Sequence, residues 1–455
     1  MRRVLIWLLG LVTAGIAAIV AWLAVAPPEL LRVGDGYAAK IVCSNVFIAG
    51  RDADVVLAQD VQAPGHPLLR FVRVNVDEVR KTVTARMFGF AAPGHAVYRE
   101  GLGCTTLSDD RFAAFPGIQR ERRRLAPAED AMFWPEGAGI VRNAAVQALI
   151  EDPALTGPGM RATVVVRRGR IIAETYGEGF SQWTPLLGWS MTKSVTAALV
   201  GLRIKDGRMA LDATDLVAEW RDDPRSGITL ADLLGMQSGL EFNEDYGAVA
   251  DVTRMLYLES DMAGFVADKP LVAKPGERFS YSSGTSTLLS RLWMDTFSSQ
   301  RTALTFPRAA LFRPLGMSSA VLETDAHGTF VGSSYMYATA RDWARFSLFL
   351  LQGGRWNDAQ LLPDGFVSYM AKPTAASGRR YGSGQVWTEA GRAAVAQADG
   401  EVALPDDAFW MQGHDGQMAL IVPSLELAVL RMGLTPSRLG YDVRQLQAKI
   451  IEAVR

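Results

Sequence analysis

The chain opens on a run that can take one form only in lipid. After the arginines of "MRR", residues 4–26 read "VLIWLLGLVTAGIAAIVAWLAVA" without a charged side chain. In hydrocarbon every backbone N–H and C=O of a single segment must be satisfied internally, which leaves a helix. At ~1.5 Å per residue that helix is roughly 34 Å long, enough to cross a bilayer core. A secretory signal is the rival reading, but its apolar region is usually only about 7–15 residues long. "AVA" at 24–26 has the look of a cleavage site, yet Pro27 and Pro28 follow it directly and should hinder the cut. Residues 1–28 are therefore read as an uncleaved anchor, with Arg2 and Arg3 on the cytoplasmic side. In a bacterium this is a single-pass inner-membrane protein with the remaining chain in the periplasm.

The rest is globular in composition. Of 455 residues, 49% are hydrophobic and 21% charged, which suits two or three domains. A net charge of −1 gives no basic excess to recruit nucleic acid. With four histidines and two cysteines, and with no HExxH, CxxC or P-loop pattern, neither a metal nor another cofactor is expected. Cys43 and Cys104 both fall early in the extracytoplasmic part, where an oxidising compartment permits a disulfide. Two unpaired buried thiols are the alternative.

Residues 29–130 are read as a strand-rich extension and linker. "RFVRVNV" and "KTVTARMFGF" have strand composition, and "IQRERRRLAPAED" at 118–130 is charged and punctuated by proline. From 131 to 455 the pattern changes. "GIVRNAAVQALIED" reads as a helix, and "ATVVVRRGRIIAETYGEGF" as a hairpin around "RRGR". Helical segments fill the middle. "MALIVPSLELAVLRMG" is a second hairpin, and "YDVRQLQAKIIEAVR" a final helix. Hairpins at both ends with helices between predict an α+β fold. One antiparallel sheet, assembled from distant parts of the chain, is flanked by helices and carries an all-helical insert.

Within that domain, "GWSMTKSVTAAL" places Ser190 three residues before Lys193, on one helical face. A serine at a helix start is also a common N-cap. The apolar turn that follows predicts a buried helix, and Lys193 buried with it. A buried lysine without a partner sheds its proton, and a neutral lysine beside a hydroxyl is a base beside a nucleophile. Such a site also needs a proton donor for the leaving group and N–H donors for an oxyanion. "KPGERFSYSSGTSTLLSRL" offers Tyr281 and Ser283 on a turn before a helix, and "GHDGQMALIVPS" puts His414 and Gly416 at the head of a strand. Each has a bland reading: a tyrosine packing at a helix entrance, a histidine capping a turn. His66, His95 and His327 lack metal-ligand spacing and are read as structural. No G-x-S-x-G elbow is present, which argues against an α/β-hydrolase.

Taken in order, "SMTK", "YSS" and "HDG" resemble the S-x-x-K, Y-x-N/S and K/H-x-G motifs of the serine β-lactamase and penicillin-recognising family. The resemblance covers about 131–455. "LLGMQSGLEFNEDY" and "SSYMYATARDWARF" look like the 6-aminohexanoate-dimer hydrolase type of its class C-like branch. The resemblance implies a serine hydrolase acting on an amide or ester of a small molecule. Ser190 would form an acyl-enzyme. Lys193 would take its proton, directly or through Tyr281. Tyr281 would protonate the leaving group and then help activate water. His414 would stand where many relatives have lysine. The oxyanion donors would be the N–H groups of Ser190 and of Gln417, which follows Gly416. Two departures bear on substrate. Ser283 replaces the asparagine that binds a lactam side-chain amide, and His414 replaces the lysine that holds a penicillin carboxylate. A less anionic substrate is expected. An inactive or slow-turnover envelope sensor or scaffold, and a DD-peptidase, remain the alternatives.

Overall fold

The opening apolar run forms α1 (Arg2–Val25), long and apolar enough to cross a membrane. Pro27 and Pro28 separate it from α2 (Glu29–Phe47). The computed structural model describes residues 2–108, 117–118, 132–388, 395–397, 400–402 and 404–455. The linker expected at 118–130 lies, residue 118 apart, outside these. The chain divides into two units. One comprises Met1–Arg99, Gly103–Pro116 and Asn243–Ser260; the other comprises Glu100–Leu102, Gly117–Phe242 and Asp261–Arg455.

In the first unit α2 lies on a four-stranded antiparallel sheet of β1 (Val72–Asp77), β2 (Thr82–Met87), β3 (Ala91–Arg99) and β4 (Gly103–Leu107), in that order. The sequence predicts strands here and no helix. Gly34, Gly36 and the β-branched residues of α2 weaken helix propensity, which concealed it. Burial supplies what propensity lacks: Leu31, Ala38, Ala39, Ile41 and Val42 are all within the core. The glycines serve close approach. A Cβ at Gly36 would sit 3.0 Å from Tyr257 Cβ, on the helix Asp251–Leu258. On β3, a Cβ at Gly94 would come within 2.3 Å of the Asp35 backbone.

Two further ties hold α2 to the sheet. Cys43 and Cys104 are joined in a disulfide, with Cα atoms 6.1 Å apart. Replacing both by alanine is expected to cost about 4 kcal/mol of first-unit stability in the chain-entropy account of a loop this long. Urea unfolding with and without reductant checks it, since reductant should lower the midpoint of the native chain and leave the variant's unchanged. The second tie is Asp35, whose Oδ2 accepts the Met87 N–H at 2.7 Å. Its Oδ1 is buried with no hydrogen-bond partner. Burial pushes this carboxyl up to about 8.

The second unit is built on α3 (Ala144–Glu151), β5 (Met160–Arg167), β6 (Arg170–Tyr176), α4 (Thr192–Lys205), α5 (Ser283–Met294), α6 (Ala340–Leu351), β7 (Phe409–Gly413), β8 (Gln417–Val422), β9 (Leu427–Gly433) and α7 (Arg444–Val454). The five strands are antiparallel in the order β7-β8-β9-β5-β6, so the two ends of the domain meet in mid-sheet, as the two hairpins predicted. One face is closed by α3 and α7, whose Val146, Ile150, Leu446 and Ile450 pack with Val165, Leu420 and Val429. The alternate residues Val164, Ala419 and Leu430 are equally buried, and α6 packs against β5, β8 and β9. Burial on both faces explains the near-continuous apolar reading of these strands.

Candidate active site

The serine of "GWSMTK" is not an N-cap. It sits in a single 3₁₀ turn, Trp189–Met191, and neither that turn nor α4 has a side-chain cap at its start. The turn is held from below by Trp343 of α6. A Cβ at Gly188 would lie 2.2 Å from its ring, and its indole N–H donates to Leu186 O at 3.3 Å. Trp189 is left in the left-handed region at φ 47°, an uncommon conformation for an aromatic residue. Strain of this kind persists only where the surroundings over-determine it, and functional sites are where it clusters.

One helical turn on, Lys193 is 1% exposed. Its Nζ lies 3.0 Å from Ser190 Oγ, 3.0 Å from Ser283 Oγ and 3.0 Å from Ser333 O. It also stands 4.8 Å from the centre of the Tyr281 ring. Tyr281 reaches this position because Ser282 caps α5, accepting the Thr285 N–H at 2.9 Å, which points Ser283 at the lysine one residue later. The tyrosine is bracketed by Trp387 and Tyr381, with ring centres 5.3 and 5.8 Å away. Ser190, Lys193, Tyr281 and Ser283 thus converge from two helices and the turns that open them.

His414 borders this group. Its ring meets Trp189 edge-on at 5.9 Å, and its Nε2 lies 3.4 Å from Asp415 Oδ1. Burial pushes the Asp415 carboxyl up, against the pull of His414, Arg438 and Arg161. The "HDG" turn has little freedom. Asp415 and Gly416 both have positive φ, 55° and 83°. Buried Arg431 donates to Gly416 O at 3.0 Å and also to Thr156 O and Thr435 Oγ1. The Gln417 amide donates to His414 O at 3.1 Å and accepts the Gly433 N–H at 2.9 Å.

The expected role of Gln417 as an oxyanion donor needs correction. Trp410 exchanges both backbone bonds with Trp387, so its own groups face the outer edge of β7. Antiparallel pairs alternate, which makes Gly413–Gln417 a hydrogen-bonded pair and places the Gln417 N–H inside the ladder. The edge that runs along the serine turn belongs to β7: a Cβ at Gly413 would lie 2.3 Å from Gly188 O. On that edge, two steps on from Gln412, the next outward N–H is that of His414. Gln417 braces the turn instead.

A second brace was not legible in the sequence. Gln385 is 2% exposed with φ 63°. Its backbone carbonyl accepts from Ser194 of α4 at 2.8 Å, and its side chain accepts from Ser286 of α5 at 2.5 Å. The amide nitrogen donates to Leu233 O and Leu234 O. It joins the helix after the serine to the helix after the tyrosine. Gln385→Ala would strip partners from buried polar groups at about 1–3 kcal/mol each. The expected result is a thermal midpoint lowered by several degrees, with Gln385→Glu no better than Gln385→Ala, because a carboxylate cannot donate to the Leu233 and Leu234 carbonyls.

Among the described residues no group of three His, Cys, Asp or Glu side chains is placed to hold a metal ion. The chain as a whole has counterparts among known proteins. A family model described as Beta-lactamase matches residues 148–444. The 6-aminohexanoate-dimer hydrolase of Paenarthrobacter ureafaciens is 27% identical over 222 residues, 45% of this chain and 55% of that protein. The match thus spans about half the length of this curated relative. A solved Bacillus anthracis structure assigned as a 6-aminohexanoate-dimer hydrolase superposes with a TM-score of 0.57 at 22% identity, covering 72% of this chain and 88% of that one. A penicillin-binding protein homolog from Caulobacter crescentus gives 0.53 at 17% identity, covering 69% and 99%. At these identities the structures speak to the fold.

Proposed function

The chain belongs to the beta-lactamase family, and we propose that it is a serine hydrolase cleaving an amide or ester of a small molecule through an acyl-enzyme on Ser190. The observation that carries this reading is Lys193 Nζ at 3.0 Å from Ser190 Oγ on a side chain sealed from water. A positioned amine can take the hydroxyl proton as the oxygen attacks a carbonyl. The N–H groups of Ser190 and His414 receive the oxyanion. Tyr281, beside the lysine, returns the proton to the departing amine or alkoxide and then assists the water that releases the acyl group. The exposed His414 offers less positive charge to an anionic substrate than a lysine would, so penicillins are poor substrates in this reading. The substrate class is supported by the relative named 6-aminohexanoate-dimer hydrolase, whose name gives a dimer of a small amino acid as what it hydrolyses.

The membrane is the second partner. We read α1 as the anchor in a bacterial inner membrane, with both units in the periplasm; the disulfide suits that compartment.

The test is turnover of a chromogenic short-chain ester and of linear ω-amino amides, with intact mass taken at early times. The expected result is a transient mass increase equal to the acyl group, followed by its loss. An acyl mass that never decays would instead favour a sensor. No turnover and no acyl mass with ester, amide or lactam would end the hydrolase reading.

A further inference from the structure

We propose that the first unit docks on the bilayer surface through an exposed aromatic and basic patch, Phe71, Phe88 and Phe90 with Arg70, Arg73 and Arg86, its occupant being anionic lipid headgroups. The proposal rests on the reading of α1 as a membrane anchor and adds a second, separate contact to it.

Position comes first. On β3, Gly94 abuts Asp35 and Gly36 of α2. Further along, Tyr98 of β3 is paired with Cys104, which is bonded to Cys43 of α2. Strand and helix therefore run in the same direction, and the start of β3 lies beside the start of α2. From Gly36 back to Glu29 is roughly 10 Å of helix. From Gly94 back to Phe90 is roughly 13 Å of strand. Phe90 thus stands level with the first residues of α2, immediately after α1 ends. The β2–β3 turn faces the end of the unit from which the apolar helix departs.

Chemistry comes second. Phe71, Phe88 and Phe90 are 48%, 45% and 41% exposed. Their rings form one cluster, with centres 5.3 Å apart for Phe71–Phe88 and 6.3 Å for Phe88–Phe90. The turn is fixed, since the Phe88 N–H donates to Phe71 O at 2.9 Å. Grouped exposed phenylalanines are not what a water-facing surface carries. Trp22 and Leu30, on either side of the α1–α2 junction, are exposed as well, and aromatic residues favour the headgroup layer.

Charge is the third observation. Arg73 and Arg86 are directly opposite each other in the β1–β2 register. Like charges in that position repel. Among the described residues no carboxylate forms an ion pair with Arg70, Arg73 or Arg86. A phosphate between the two strands would turn the repulsion into a bidentate site. The opposite end of the sheet differs: Val79, 94% exposed, is surrounded by Asp77, Glu78, Arg80 and Lys81, with the last paired to Glu78.

The chain has two cysteines and both are in the disulfide, so one introduced cysteine can be labelled selectively. The full chain would be reconstituted in vesicles of phosphatidylethanolamine and phosphatidylglycerol with a nitroxide at F88C, F90C, V79C or L9C. Accessibility to oxygen and to a water-soluble nickel chelate would be measured for each. The expected result is that positions 88 and 90 are shielded from nickel, as is position 9, while position 79 is open to it. In phosphatidylcholine vesicles, or with R70Q and R73Q added, positions 88 and 90 should move several-fold toward the nickel accessibility of position 79. Labels at 88 and 90 that match position 79 while position 9 is immersed would overturn the patch and leave the anchor. A label at position 9 that is open to nickel would overturn the anchor and the proposal with it. Shielding at 88 and 90 unaffected by lipid charge would remove the arginines from the proposal.

Discussion

Ser190→Ala and Lys193→Met are each expected to lower kcat by about 10⁴-fold or more, with KM little changed. The two side chains act as one device, so the double variant should be hardly worse than either single one. Ser190→Ala removes the oxygen proposed to be acylated, and no acyl mass should form at any time. Lys193→Met keeps the volume of a buried side chain and removes the group 3.0 Å from the nucleophile, so acylation should become very slow. The methionine leaves Ser283 Oγ and Ser333 O without the lysine, so some stability is lost as well. Far-UV circular dichroism should still be that of the parent. Turnover that persists in Ser190→Ala would show that the nucleophile lies elsewhere. Rapid acylation in Lys193→Met would transfer the base role to Tyr281 alone.

Asp35 is expected to make the first unit weaken as pH rises. Its carboxyl titrates at about 8 in the folded chain instead of 3.8. The folded state therefore holds a proton that the unfolded state has released, and the slope of stability with pH is negative between the two values. The contribution is complete below the unfolded value and is lost as pH climbs through the folded one. Each pH unit in the window is worth up to about 1.4 kcal/mol at full linkage. Asp35→Asn keeps an acceptor for the Met87 N–H but carries no ionisable proton, so it should flatten the dependence. Pulse proteolysis in urea at pH 5.5, 7 and 8.5, following first-unit peptides by mass, reads this directly. A midpoint in the native chain that rises with pH over that range would contradict the assignment.

Much of the second unit could be read from residue order because its signals are local. Ser190 and Lys193 are one turn apart, and Ser282 starts the helix that presents Ser283. The two hairpins carry β-branched runs that need no distant partner to be recognised. What escaped the reading is non-local. Gln385 and Arg431 act through carbonyls and hydroxyls contributed by remote segments, and nothing in "YGSGQVW" or "LAVLRMG" announces that. The choice of His414 over Gln417 rests on which edge of a hairpin faces the serine turn, and a pairing with Trp387 decides it. The helix α2 was hidden for the opposite reason. Its local propensity is poor, and packing against the sheet and the disulfide overrides it.

The composition of the first unit also sets an order of events during synthesis. Its helix Asp251–Leu258 is supplied by a stretch more than a hundred positions downstream of β4, yet Tyr257 packs against Gly36 and Tyr37 of α2. The N-terminal segments leave the ribosome first but lack that cover until residue 260 has followed. At about 5–20 residues per second the wait is roughly 8–30 s. During it the face of α2 that will meet Tyr257 stays open, and the cysteine pair can already close. A chain halted between β4 and that helix would leave an apolar helix face uncovered, where a chaperone or a protease would find it.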